Sequence, residues 1–197
     1  MSAYLRTWVG AVFVACVLAG CGGSGPSFKN TDITGAGYGK DFALTDHTGK
    51  TRTLADFRGK AVVMFFGYTR CPDVCPTTLA ELKAVKEQLG EDGKRLQVLF
   101  VTVDPERDTQ KLLANYVPAF DPSFIGLYGD SAATAKVAKD FRVFYQKSPG
   151  KTPESYTVDH TAGSYVFDPQ GRLRLFVRHG NAANLAADVR VLLNASG

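Results

Sequence analysis

Two nearly uninterrupted apolar runs constrain this chain most: Ala61–Tyr68 (AVVMFFGY) and Leu96–Val103 (LQVLFVTV). Neither alternates apolar with polar residues, so each reads as a strand covered on both faces. Pro76–Leu89 between them reads as a helix, with Pro76 near its first turn and Gly90 just past its end. Thr109–Val117 and Ser131–Phe141 are further helices, the second capped by Ser131. Phe42–Thr45 and Lys50–Thr53 flank Asp46-His47-Thr48-Gly49, a hairpin turn. Ser164–Phe167 and Leu173–Val177 are strands joined by an Asp-Pro-Gln-Gly turn, and Asn181 opens a last helix that reaches Leu193. The expected order is hairpin, β, α, β, α, short β, α, hairpin, α.

Alternating β and α segments closed by an antiparallel hairpin give a mixed sheet between helical layers. The expected fold class is α/β: a thioredoxin-like three-layer sandwich, in its peroxiredoxin-like variant, with an added N-terminal β-hairpin. A length of 197 residues fits one such domain. The formal net charge of +4 is mild, and Lys and Arg are scattered among carboxylates, which argues against a nucleic-acid partner.

The N-terminus carries an address. Arg6 precedes Trp8–Gly20, an uncharged, largely apolar run. It falls short of the roughly 20 residues a spanning helix needs, but fits a signal-peptide core. It ends in Leu18-Ala19-Gly20-Cys21, which resembles a bacterial lipobox. The resemblance implies a signal peptide over residues 1–20, lipidation of Cys21, and a domain anchored to the extracytoplasmic side of a bacterial cell membrane. Residues 21–40, rich in Gly, Ser and Thr, read as a flexible tether, and 41–197 as the folded domain. Of four cysteines, Cys16 would leave with the signal and Cys21 would be lipidated, so Cys71 and Cys75 are left for the domain.

Cys71 and Cys75 stand between a central strand and a helix, in FFGYTRCPDVCPTTLAE. Open α/β sheets place ligands at the carboxyl ends of their strands. A helix N-terminus favours thiolates, and Arg70 would add positive charge, so this position is expected to lower the thiol pKa. On a helix the C-x3-C spacing stacks both sulfurs on one face, with a backbone offset of about 6 Å. Such a pair can clamp a soft metal or close a disulfide between Cys71 and Cys75; spacing does not separate the two.

Three segments, GYTRCPDVCPTTL, VTVDPERDT (101–109) and DHTAGSYVFDPQG (159–171), together resemble the Sco/SenC family, in the family's order. The resemblance covers residues 38–195. It implies a thioredoxin fold that binds one copper ion, Cu(I) or Cu(II), through Cys71, Cys75 and His160. It also implies a role in maturing the CuA site of cytochrome c oxidase subunit II, with a periplasmic thiol reductase as helper and a further copper chaperone as a candidate partner. Two thiolates and an imidazole suit copper, and three ligands are too few for a closed structural zinc site. The alternatives are a dedicated thiol–disulfide reductase, with Cys71 and Cys75 as its redox-active pair, and a copper or redox sensor.

The remaining candidates are read more plainly. Thioredoxin-type enzymes resemble C-x2-C proteins with a cis-proline in the loop before the closing hairpin; no proline stands between Pro153 and Pro169, which argues against general disulfide exchange. Peroxiredoxins carry Thr or Ser three residues before the reactive cysteine, where Cys71 has Tyr68 and Cys75 has Pro72. Asp104 and Asp108 are either caps and turns or a feature of the site rim. Asp73 either tunes the metal, meets a partner or is a solvated loop acid. Asp159 is a candidate to orient the His160 ring. His47 and His179 read as turn or surface residues, and Gln146–Tyr156 as a polar connection, flap or docking loop.

Overall fold

The computed structural model describes residues 27–152, 155–180 and 182–195. The expected signal segment, Cys16, Cys21 and Asn181 lie outside them. Among the described residues no helix is long and apolar enough to cross a membrane. In chain order the strands are β1 (Thr31–Asp32), β2 (Leu44–Asp46), β3 (Thr51–Arg52), β4 (Ala61–Gly67), β5 (Leu96–Thr102), β6 (Ile125–Tyr128), β7 (Tyr145–Ser148), β8 (Thr157–His160), β9 (Gly163–Phe167) and β10 (Leu173–Arg178). The α-helices are α1 (Val74–Leu89), α2 (Gln110–Tyr116), α3 (Ser131–Asp140) and α4 (Leu185–Asn194).

The two apolar runs form β4 and β5, and every residue of both strands is buried. They pair in parallel, Ala61 opposite Leu96 through Gly67 opposite Thr102. The eight-stranded sheet runs β1-β10-β9-β4-β5-β6-β2-β3. Along β4 the side chains alternate between two covered faces. Phe65 packs on Phe100, with ring centroids 5.5 Å apart, on the side of α1 and α2. Phe66 meets Phe141, just past α3, at 5.6 Å on the other side. Burial of side chains of this size stabilises the fold by about 1.5–3 kcal/mol each. The result is the expected mixed α/β sandwich.

The N-terminal hairpin is continuous with the main sheet, because β2 also pairs antiparallel with β6. Its turn is pinned by Asp46, 1% exposed, whose carboxylate accepts from the Thr48 and Lys50 amides, the Thr48 hydroxyl and Arg52 Nε. Burial alone would raise the Asp46 pKa; these donors outweigh it and hold the group well below the usual carboxylate range.

Three expectations need correction. The cap of α3 is Asp130, whose carboxylate accepts from the Ala133 amide at 2.7 Å, and Ser131 is the first helical residue. The described part of the tether is folded: β1 pairs with β10, and the Lys29 and Asn30 amides donate to the buried Asp188 carboxylate at 2.8 and 2.9 Å. The folded body therefore starts near Lys29, not at Asp41. The polar connection before His160 is also not a plain loop. Tyr145–Ser148 pairs with Thr157–His160 in a separate two-stranded sheet, so His160 ends a strand.

Candidate metal centre

The cysteine segment starts where β4 ends. Gly67 must lack a side chain here, since a Cβ would lie 2.9 Å from Cys75 Sγ and 3.0 Å from the Phe65 and Phe100 rings. Thr69 is then fixed from below by Asp108, which is 1% exposed. The Asp108 carboxylate accepts from Thr69 N (3.0 Å), Thr69 Oγ1 (2.6 Å) and Thr102 Oγ1 (2.6 Å). It thereby ties the cysteine loop to the end of β5. Burial pushes the Asp108 pKa up, and these hydrogen bonds offset only part of that rise.

Beyond Thr69 the chain turns, with the Cys71 amide donating to the Tyr68 carbonyl at 3.2 Å, and α1 begins at Val74. Cys75 thus sits in the first helical turn, and its amide points at Cys71 Sγ at 3.4 Å. Both cysteines are free thiols; Cys75 is fully buried and Cys71 partly exposed. The expectation of a lowered thiol pKa fails at Cys75. Burial pushes that thiol far up, and the helix terminus does not compensate, because a thiolate there has lost its water. Arg70, the expected source of positive charge, is exposed.

His160 reaches the cysteines from the end of β8. Its Nε2 lies 3.6 Å from Cys75 Sγ. Its Nδ1 is 3.2 Å from the Thr161 carbonyl, which it can serve only as a donor, leaving the Nε2 lone pair facing the sulfurs. Burial lowers the His160 pKa against the opposing effects of Thr161 and Asp159, which favours the neutral ring that can serve as a ligand. The ring stands edge-on to Phe65 and Tyr68, at 6.3 and 6.2 Å. The ligand atoms of Cys71, Cys75 and His160 all lie within 4.8 Å of one another. Donors held ~2.0–2.3 Å from one ion are separated by at most about 4.6 Å, so this cluster is nearly closed around a single metal.

The acidic candidates divide. Asp104 is wholly buried and is not among the clustered ligands: it pairs with Arg107 and accepts the Tyr156 hydroxyl at 2.7 Å. Arg107 lies 3.5 Å from the Tyr156 ring centroid and donates to the Tyr156 carbonyl at 2.9 Å. Tyr156 immediately precedes β8, so Asp104 and Arg107 fasten the strand that carries His160. Asp73 is the non-helical residue before α1; it is exposed and meets Thr77 Oγ1 at 3.5 Å. Asp159 is exposed and accepts from Ser148 Oγ at 2.6 Å, not from the His160 ring. His47 does sit in its turn, where Nδ1 accepts from the Gly126 amide at 3.0 Å.

His179 is not the turn or surface residue that the sequence suggests. It is partly buried, with Nδ1 2.6 Å from Thr78 Oγ1 and its ring 5.3 Å from Phe65 and 6.4 Å from His160. Burial, helped by His160, pulls its pKa down to about 4. The signal was there: Leu173, Leu175, Val177 and His179 keep one period-two face beyond the end of β10.

Comparison with known proteins agrees with this geometry. Residues 30–194 match the SCO1/SenC family. The chain is 41% identical over 150 residues to the mitochondrial SCO2 homolog of Bos taurus, covering 75% of this chain and 56% of that protein. It therefore spans little more than half the length of that relative. Among solved structures it is similar to Bradyrhizobium japonicum ScoI with copper bound (42% identity, TM-score 0.71, 77% of this chain and 97% of that one). It is also similar to apo Sco1 of Thermus thermophilus (43% identity, TM-score 0.71, 89% and 100%). With most of its length matched, and Cys71, Cys75 and the distant His160 gathered at one strand end, the chain belongs to the SCO1/SenC family.

Proposed function

We propose that this protein binds one copper ion through Cys71, Cys75 and His160 and delivers it to the CuA site of cytochrome c oxidase subunit II. The observation that carries the reading is the convergence of two sulfurs and one imidazole nitrogen within 4.8 Å. Sulfur favours Cu(I), and the nitrogen accommodates Cu(II). Similarity to a copper-bound bacterial ScoI supports the choice of metal. The unequal burial of the cysteines supports transfer by ligand exchange. A partner thiolate attacks from the side of the partly exposed Cys71, shares the ion, and displaces Cys71 and His160 before the buried Cys75. Both thiols must be reduced, so a thiol reductase on the same side of the membrane is part of the proposal, as are a copper chaperone upstream and lipid anchoring through Cys21.

The test is copper content and a competition-derived Cu(I) affinity for the reduced protein and for His160→Ala. One copper per chain is expected, with affinity reduced by the substitution at least as much as the roughly 10–100-fold lost when a group that only hydrogen-bonds to a ligand is removed. Weak copper binding that His160→Ala leaves unchanged would overturn the reading and put thiol–disulfide exchange by Cys71 and Cys75 first.

A further inference from the structure

The metal centre opens into a groove of about 300 Å³. Tyr68 and Cys71 form its floor, residues 72–74 one wall, and the β8 residues Thr157–His160 the other. Two kinds of residue at or beside this groove are not needed to hold an ion: exposed apolar ones, of which Val74 lines it and Phe144 lies outside its lining, and carboxylates. Val74 and Phe144 are the exposed large hydrophobic residues among those described, at 39% and 60%. Both adjoin the ligands: Val74 precedes Cys75, and Phe144 exchanges backbone and side-chain hydrogen bonds with Thr161, the residue after His160. Asp73 and Asp159 stand on opposite walls, exposed, and neither makes an ion pair among the described residues, in contrast to Asp46, Asp104 and Asp168. Hydroxyls are their side-chain partners.

Val74 lines the cleft and is exposed, so a partner that comes to the ion through this cleft covers it. Two carboxylates without ion pairs, one on each wall of that cleft, set the sign of the partner's charge. Two thiolates around one Cu(I) add further negative charge at the floor. We propose that the groove receives an extended segment of the copper-accepting protein, which seats an apolar side chain on Val74 and a cationic side chain between Asp73 and Asp159. This rests on the copper-delivery reading and names the chemistry that the accepting protein must present beside its own metal ligands. The acidic walls select the partner and speed encounter; the sulfurs and imidazole hold the ion.

The test uses the full chain, reduced, and two fluorescent octapeptides that each carry one Leu and one Met. One has two Lys, the other two Glu at the same positions. Fluorescence anisotropy should show the Lys peptide binding about tenfold or more tighter, with the preference shrinking as salt is raised. The Asp73→Asn/Asp159→Asn double variant should erase the preference, and Val74→Ser should weaken both peptides alike. Equal binding of the two peptides to the parent, a comparison that requires no variant, would overturn the proposal, as would a preference that survives the double substitution. Copper transfer to the apo subunit II domain is measured on the same sample. A parent that prefers the Lys peptide but transfers no copper sinks the delivery reading alone. One that transfers copper without preference between the peptides sinks the groove alone.

Discussion

Gly67 shows how tightly single residues shape the centre. A methyl group at this position would meet Cys75 Sγ at 2.9 Å and two phenyl rings at 3.0 Å, in a strand that is buried throughout. Neither the rings nor the helix can retreat, so the sulfur must move. Gly67→Ala is therefore expected to weaken Cu(I) binding by at least about tenfold while costing about 1–3 kcal/mol of stability, read by competition titration and urea unfolding. An affinity equal to the parent's would show that the sulfur has more freedom than the packing implies. At this scale the sequence was legible where motif and chemistry coincide: Cys71, Cys75 and His160 stand out by type and spacing. His179 was obscured because a histidine past a strand end carries no motif, although its place on the β10 face was readable from the alternation.

The elements divide by whether they bury a face. β4, β5 and α1 follow from apolar pattern and end signals, because burial is what forms them. β7 and β8 have no such pattern: Val158 is their one buried residue, and the strands are held by each other's backbone and by the clasp at Tyr156. Four residues are too few for the alternation that puts Val158 and His160 on the covered face to stand out in sequence. The clasp carries the next prediction. Arg107→Ala removes the cation from Asp104, a carboxylate with 0% exposure, and the platform beneath the Tyr156 ring. It should destabilise the protein by about 3–5 kcal/mol, since one member of a buried pair is left uncompensated. Hydrogen exchange should quicken at the β8 amides more than in β4 or β5. Uniform quickening would mean that the hairpin is not fastened there.

Across the whole molecule, the least legible boundary was the first. β1 is two exposed residues, and its composition matches a linker. What folds it is remote: the Asp188 carboxylate on α4 gathers the Lys29 amide, the Asn30 amide and the Asn30 side chain, at 2.8–2.9 Å. Asp188→Ala should release the segment ahead of β2, at a cost of about 2–3 kcal/mol, and open it to limited proteolysis while the sheet order is kept. Cleavage no faster than in the parent would show that β1 pairing alone suffices. The core layers, by contrast, were predictable from two apolar runs and the alternation around them, because they satisfy the largest burial demand in the chain.

The metal ligands come from places far apart along the chain: Cys75 and His160 are 85 positions apart, one opening α1 and the other ending a strand outside the main sheet. An ion held by both is a removable crosslink. It closes a long loop and draws on the entropy of that closure, as a disulfide of the same span would. Loading should therefore stiffen the β7–β8 hairpin against the body, and giving up the ion should untie it. The wall of the groove that carries Asp159 is part of that hairpin. On the delivery and groove readings proposed above, departure of the cargo would loosen the grip on the acceptor, so unloading and release would become one event.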